Sequence, residues 1–237
     1  MRFLLFGDIE HQLPPVGEET RNFIYARAIK EIVNYNQIEM IYNFRQGDGS
    51  GALWDDWSLH PQRFKPDPED PDTQLNLCYE NKTRKKVIEY HQDKLVNPLV
   101  LECSNENDYN SKRGQTKEVK VNIGTPMIAR KSNKELGFAK NEMFIVMDYN
   151  DADVRLFKKT DPLDQILMDH KEFMANFVSG YCITIHKSQG DTYEEKYTIW
   201  DWDKISAHDR FNQNRKLRYV AQSRSKKPDE NIFYKVI

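Results

Sequence analysis

The stretch that decides the fold is YCITIHKSQGDT, which runs from Tyr181 to Thr192. Its apolar residues alternate from Tyr181 to Ile185, and this alternation predicts a buried strand. A polar cluster at 186–189 and a Gly190-Asp191 turn follow directly. The strand therefore delivers hydrogen-bond donors to a loop at the edge of a sheet, and such a loop suits an anionic ligand.

A second segment, Leu217 to Ser225, reads LRYVAQSRS and predicts a helix that closes on Arg224. Together the two segments resemble the last two motifs of superfamily 1 helicases of the RecD and PIF type. The patterns of that family run roughly T-x-H-K-S/A-Q-G-x-T and Y-V-A-x-S-R. The first match is nearly complete, whereas the second departs at Gln222, where a small or apolar residue such as Leu is usual.

Two earlier segments match further motifs of the same family, in family order. The run GDIEHQLPPV, from Gly7 to Val16, resembles motif III, in which a glutamine senses the terminal phosphate of ATP. The resemblance gives this role to Gln12, although one residue more than usual separates it from Asp8. The run NFRQ resembles motif IV and implies that Arg45 reaches the nucleotide phosphates, while an arginine on a solvated loop is an equal alternative.

Asn81 matches the first asparagine of another family pattern and opens a segment, Asn81 to Lys94, that predicts a helix. The first turns of this helix carry four cations, namely Lys82, Arg84, Lys85 and Lys86. They suit a phosphate backbone, but a solvated helix face is the favoured interpretation.

Strands and helices alternate at both ends of the chain, and this alternation predicts a parallel α/β sheet. The predicted strands lie at 2–6, 37–42, 75–79, 181–185, 197–200 and 231–236, and the predicted helices at 20–34, 81–94 and 215–222. Short alternating runs between Pro98 and Phe157, separated by turns, predict a small antiparallel β unit. Asp161 to Phe177 is expected to bridge back to the core.

The resemblance implies a RecA-like second helicase domain of the P-loop NTPase type, with a small inserted β-barrel subdomain. GTPMIARKSN, from Gly124 to Asn133, loosely matches a family phrase in that insert. The predicted divisions are the end of a first RecA-like lobe with a linking helix at 1–36, the second domain at 37–100 and 161–237, and the insert at 101–160.

The resemblance also assigns roles to residues. Arg224 would be the arginine finger that binds the γ-phosphate. Its alternative role is that of a cation at a helix C-terminus, where it interacts favourably with the helix dipole. The nucleotide-binding residues would be Gln12, Arg45, Gly190, Asp191 and Arg224. The single-strand contacts would be Asn81, Lys131, Thr184, His186, Lys187, Ser188 and Gln189.

Composition narrows the class of protein. With 237 residues, 30% charged and 12% aromatic, the chain predicts a globular protein with no membrane span. Its net charge of −2 leaves any nucleic-acid contact to a local basic stripe. In the β unit that stripe would comprise Lys112, Arg113, Lys117, Lys120, Arg130, Lys131 and Lys134. Cys78, Cys103 and Cys182 lack a C-x-x-C spacing, which predicts buried free thiols and a reducing compartment. The protein is therefore expected to be intracellular, in the cytoplasm, the nucleus or a viral replication site.

No G-x-x-x-x-G-K-[ST] phosphate loop occurs in the sequence. ATP and Mg²⁺ would then be held mainly by a first lobe that lies before Met1, and this chain alone would hydrolyse no ATP. The expected partners are single-stranded DNA and other replication or recombination proteins. Two alternatives remain: a helicase-derived nucleic-acid-binding or scaffold module without a motor, and an unrelated α/β nucleotide-binding enzyme.

Overall fold

The computed structural model describes residue 13 and residues 27–36, 73–102, 118–207, 213–225 and 227–236. Several predictions fall outside these residues: Gln12, Arg45, the strands at 2–6 and 37–42, Cys103 and most of the helix at 20–34. The chain divides into two compact units, one formed by Asp72–Thr184 and the other by Met1–Pro71 with Ile185–Ile237.

The described elements, in chain order, are α1 (Arg27–Ile32), β1 (Leu75–Cys78), α2 (Asn81–Asp93), β2 (Leu99–Glu102), β3 (Glu118–Val121), β4 (Pro126–Ala129), β5 (Met143–Tyr149), β6 (Asp153–Lys158), β7 (Asp161–Asp169), α3 (His170–Asn176), β8 (Phe177–Ser179), β9 (Cys182–Thr184), β10 (Tyr197–Ile199), α4 (Trp202–Ser206), α5 (Gln213–Gln222), α6 (Pro228–Asn231) and β11 (Ile232–Tyr234). No helix among the described residues is long and apolar enough to cross a membrane.

In the Asp72–Thr184 unit, β1 runs parallel to β9, with Leu77 opposite Ile183. All four residues of β1 are buried, as is usual for a strand in a parallel sheet with both faces covered. Helix α2 packs against both strands and buries Val87 and Ile88. The predicted strands and helix are confirmed here, and Cys78 and Cys182 are buried free thiols as expected.

A buried polar cluster fixes the start of β9. The side-chain amide of Asn76 donates to the carbonyl of Thr73 at 3.0 Å and to that of Tyr181 at 2.9 Å. The same nitrogen lies 3.1 Å from Nε2 of His91, whose ring stacks on Tyr181 at a centroid distance of 4.9 Å. Residue 181 is thereby anchored just before the strand that leads into the polar loop.

The predicted antiparallel β unit is confirmed as a five-stranded sheet in the order β7-β6-β5-β4-β8, together with a β2-β3 pair. Its core is built around Phe138, Phe144 and Phe177, and the ring centroids of Phe144 and Phe177 lie 5.2 Å apart. The five strands form an open row among the described residues, so closure into the predicted barrel is not shown. The sheet also continues past residue 160, because Asp161–Asp169 is a strand paired with β6 rather than a bridge to the core.

In the unit that contains Ile185–Ile237, β10 runs parallel to β11, with Thr198 opposite Phe233. Helix α5 confirms the predicted helix at 215–222, and β11 confirms the closing strand. The two helices α4 and α5 lie against each other. The guanidinium of Arg218 on α5 is buried and donates to the carbonyl of Ile205 on α4 at 2.6 Å.

Candidate functional site

The polar loop that follows β9 is a compact turn closed by its own serine. Ser188 is fully buried, and its hydroxyl donates to the carbonyl of Ile185 at 2.9 Å. The amide of Asp191 donates to the carbonyl of Ser188 at 3.1 Å. Gly190 has a φ of +102°, and a Cβ built there would meet no atom within 4 Å. Glycine is therefore favoured at position 190 by backbone conformation and not by a close neighbour.

Arg224 lies in the turn that follows α5 and is only 5% exposed. Its Nη1 donates to the carbonyl of Asp191 at 2.9 Å and to that of Ser188 at 3.3 Å. Its Nε donates to the carbonyl of Val220 at 2.8 Å, and its Nη2 to the hydroxyl of Ser223 at 2.9 Å. The two motifs recognised in the sequence are thus brought together, with the guanidinium bound to the backbone of the polar loop.

Tyr193 links the same two segments through its backbone and its side chain. Its amide donates to the carbonyl of Arg224 at 2.7 Å, and residue 193 forms a parallel bridge with Ser225. Its hydroxyl donates to Oδ2 of Asp191 at 3.1 Å. The carboxylate of Asp191 is therefore oriented by Tyr193, while its carbonyl is held by Arg224.

Tyr197 on β10 contacts the last turn of α5 through its hydroxyl. Its ring is fully buried, and its hydroxyl donates to the carbonyl of Ala221 at 2.7 Å. Burial raises the pKa of the Tyr197 hydroxyl well above its usual range, and the neighbouring Tyr234 raises it further. Burial likewise raises the pKa of the Tyr193 hydroxyl, with a further increase from the Asp191 carboxylate.

These raised pKa values predict a loss of stability in alkali. Because the folded pKa lies above the unfolded value of about 10, the stabilisation is complete below pH 10 and falls as the unfolded tyrosines ionise above it. Tyr197→Phe removes one such group. The variant is expected to be less stable than the wild type, but it lacks the group whose stabilisation is lost in alkali. The difference in unfolding free energy between the two is therefore expected to shrink by about 1 kcal/mol between pH 9 and pH 11. Urea unfolding at the two pH values measures this, and an unchanged deficit contradicts it.

Gln222, the departure from the family pattern, is fully buried. Its Nε2 lies 3.1 Å from the hydroxyl of Tyr234 on β11, to which it donates. Its Oε1 has no hydrogen-bond partner among the described residues. An apolar residue at this position would not reach Tyr234 by a hydrogen bond, so Gln222 adds a polar link between α5 and β11.

The predicted strand-binding residues fall in different parts of the described chain. Thr184 ends β9, and His186, Lys187 and Gln189 are half-buried on the polar loop. Asn81 is the exposed first residue of α2 in the Asp72–Thr184 unit, and Lys131 is exposed in the same unit. Ser188 is the exception on the loop, because its hydroxyl is buried in the turn.

The basic stripe predicted for the β unit is reduced by internal pairing. Lys120 forms an ion pair with Asp93 at 2.9 Å, and the hydrogen bond to that carboxylate raises the pKa of Lys120. Arg130 is half-buried and donates to the carbonyl of Met174 at 3.4 Å. Lys131 and Lys134 are exposed, while the predicted cations at 112, 113 and 117 lie outside the described residues.

Tyr193 and Tyr197 were not singled out by sequence reasoning. Their spacing in TYEEKYTIW shows an alternating strand at most, and nothing in it marks the contacts of their hydroxyls. Among the described residues, no group of three His, Cys, Asp or Glu side chains is placed to hold a metal ion.

No protein-family model matches the chain, and no curated protein matches it by sequence. Solved structures do match. The crystal structure of Pif1 helicase from Candida albicans has a TM-score of 0.64 at 14% identity, over 94% of this chain and 61% of that one. The chain shares its fold with Pif1 helicases.

Two Bacteroides structures agree with this. Bacteroides Pif1 bound to ssDNA has a TM-score of 0.56 at 16% identity, over 94% of this chain and 60% of that one. Pif1 from Bacteroides in complex with ADP-AlF3 and ssDNA has a TM-score of 0.55 at 15% identity, over 83% of this chain and 51% of that one. The chain thus spans about 51–61% of the length of the Pif1 structures it matches.

Proposed function

We propose that the chain is the second RecA-like part of an ATP-dependent DNA helicase that moves along single-stranded DNA from 5′ to 3′. The observation that carries the proposal is the convergence of the polar loop and Arg224 within one unit. A loop that bears donors for phosphate and a helix that ends in a guanidinium are the two parts that a helicase motor needs on this domain. The shared fold with Pif1 helicases supports the same conclusion.

In this proposal the two ligands are divided between neighbouring residues. Lys187, His186 and Gln189 would contact the phosphates of the strand, and such contacts do not read its sequence. Gly190, Asp191 and Arg224 would face ATP, with Gln12 and Arg45 in support. A structure of Bacteroides Pif1 in complex with ADP-AlF3 and ssDNA gives the neighbour both kinds of ligand. ATP and Mg²⁺ would be bound mainly by a first lobe, since this sequence contains no phosphate loop.

One observation favours a second candidate, a nucleic-acid-binding module without a motor. The guanidinium of Arg224 is buried and is bound to backbone carbonyls, so it is occupied in this structure. The two candidates differ in one test. A helicase part hydrolyses ATP when it is joined to a first RecA-like lobe, and a motor-less module does not.

Binding of single-stranded DNA tests both candidates against an unrelated enzyme. The 237-residue chain is expected to bind a labelled oligothymidylate with an affinity that falls as salt rises. Lys187→Ala is expected to weaken binding and to lower the slope of log affinity against log salt by about 0.7, the value for one lost phosphate contact.

The matched control for this prediction is Lys227→Ala. Lys227 is exposed in the same unit and is paired with Glu230 at 3.3 Å, away from the polar loop in sequence. Its removal takes away the same charge and is expected to leave the slope unchanged. Equal slopes for the two variants would exclude Lys187 from the strand contact.

A further inference from the structure

We propose that Arg224 is a positioning residue for the strand-binding loop, so that the arginine expected to serve ATP also sets the affinity for single-stranded DNA. The inference rests on the proposed function in one respect, namely that residues 186–189 contact the strand. It differs from the role that the sequence resemblance implies, in which Arg224 touches only the nucleotide.

The guanidinium spans the turn that shapes the loop. Its Nη1 donates at 3.3 Å to the carbonyl of Ser188 and at 2.9 Å to that of Asp191, the residues on either side of the Gln189-Gly190 pair. Its remaining nitrogens bind Val220 on α5 and Ser223 in the turn after it. One side chain therefore fixes both ends of the turn to the end of α5.

Among the described residues, the other hydrogen bonds of the turn join neighbours in sequence. The amide of Asp191 donates to the carbonyl of Ser188 at 3.1 Å and closes the turn. The hydroxyl of Ser188 holds Ile185, and that of Tyr193 holds the carboxylate of Asp191. These bonds stay within residues 185–193, whereas Arg224 attaches residues 188 and 191 to the segment after α5. Gly190 adds a backbone with wide conformational freedom. Without Arg224 the carbonyls of residues 188 and 191 lose a donor, and the turn gains alternative conformations.

Loop order affects affinity because an ordered binding surface loses less conformational freedom when its ligand binds. Removing Arg224 is therefore expected to weaken strand binding about tenfold. Because the Arg224 side chain is only 5% exposed, the proposal gives it no contact with a phosphate of the strand. The slope of log affinity against log salt should then stay unchanged, whereas a lost direct contact lowers it by about 0.7. This separates a positioning role from direct binding.

The experiment compares Arg224→Met with Arg218→Met in the whole 237-residue chain. Arg218 lies on α5, the helix that precedes Arg224; it is 7% exposed and donates to the carbonyl of Ile205 on α4. Both variants remove a buried guanidinium, so the pair controls for lost stability. Anisotropy of a labelled oligothymidylate at four salt concentrations gives affinity and slope, and hydrogen exchange reports the amides of residues 186–191.

The expected result is a tenfold loss of affinity at unchanged slope and faster exchange at 186–191 for Arg224→Met, with a change of less than twofold for Arg218→Met. Arg224→Lys should recover part of the affinity, since an ammonium can still donate to the carbonyls of Ser188 and Asp191. The shorter lysine side chain lacks the donors that bind Val220 and Ser223, so its position is less fixed. Wild-type affinity in Arg224→Met, or a slope lowered by about 0.7, overturns the proposal.

Two further outcomes are also decisive. If Arg224→Met does not fold, Arg224→Lys replaces it, and wild-type affinity with wild-type exchange in that variant overturns the proposal. If the wild-type chain binds no single strand, the proposed function fails. Hydrogen exchange then tests only whether Arg224 orders the loop. Faster exchange at 186–191 in Arg224→Met than in Arg218→Met supports this ordering, and equal exchange overturns it.

Discussion

Arg224→Ala is expected to lower DNA-stimulated ATP hydrolysis by about 10³-fold or more when the chain is joined to a first RecA-like lobe that carries a phosphate loop. A guanidinium binds the γ-phosphate through two parallel hydrogen bonds and spreads the charge that develops as the bond breaks. Steady-state hydrolysis at saturating ATP and saturating DNA measures the effect. Saturation matters because Arg224 is also proposed to set strand affinity.

The controls for this prediction separate chemistry from folding. Arg224→Lys keeps the charge but not the paired geometry, so it should recover little of the rate. Arg218→Ala removes a buried guanidinium from α5 and should retain most of it. A loss smaller than tenfold in Arg224→Ala would contradict the finger role and favour the module without a motor.

The position of the guanidinium adds a condition to the finger role. In this structure it makes four hydrogen bonds to described residues, of which two hold the polar loop. To reach a phosphate it must exchange these for bonds to anionic oxygens of the nucleotide, in which the acceptor is charged as well as the donor. ATP binding would then release the carbonyls of Ser188 and Asp191. In the proposed function, nucleotide binding and strand affinity would thereby be coupled through one side chain.

Much of the fold could be predicted from local pattern. The run LNLC of β1 is short and almost wholly apolar, as a buried parallel strand requires, and residues 215–222 carry apolar positions at helical spacing. Strand β7 was missed because DPLDQILMD contains a proline and three aspartates, and only Ile166 and Met168 face the core. Its pairing with β6 also shifts register near Lys158, which hides the alternation.

The sequence predicted which residues belong to the candidate site but not how they are arranged in space. The residues of the polar loop and Arg224 follow from two sequence motifs, and their proximity in space does not. The direction of a guanidinium depends on acceptors 33 and 36 residues away, at Asp191 and Ser188. The same holds for Tyr197, which reaches a carbonyl 24 residues along the chain. Contacts between residues this far apart in sequence depend on tertiary packing, and the local spacing of apolar residues carries no information about them.

Gly180→Ala is expected to destabilise the Asp72–Thr184 unit by about 2 kcal/mol or more. A Cβ at this position would lie 2.9 Å from the carbonyl carbon of Pro126 and 3.1 Å from the amide of Met127. Both are backbone atoms of β4, which cannot rotate away as a side chain can. The amide of Gly180 also donates to the carbonyl of Pro126 at 2.7 Å, so a forced separation loses a hydrogen bond as well. Urea unfolding, read as the change in midpoint at constant slope, measures the loss.

The neighbouring Ser179→Ala is the matched control for Gly180→Ala. Ser179 is buried, and its hydroxyl has no hydrogen-bond partner among the described residues, so its removal should change stability by less than about 0.5 kcal/mol. Both variants place an alanine at the end of β8, but only the first adds an atom against β4. The strain would also reach Tyr181, whose carbonyl binds Asn76 at the start of β9. If the two variants unfold at the same urea concentration, the predicted clash between a Cβ at position 180 and the backbone of Pro126 is contradicted.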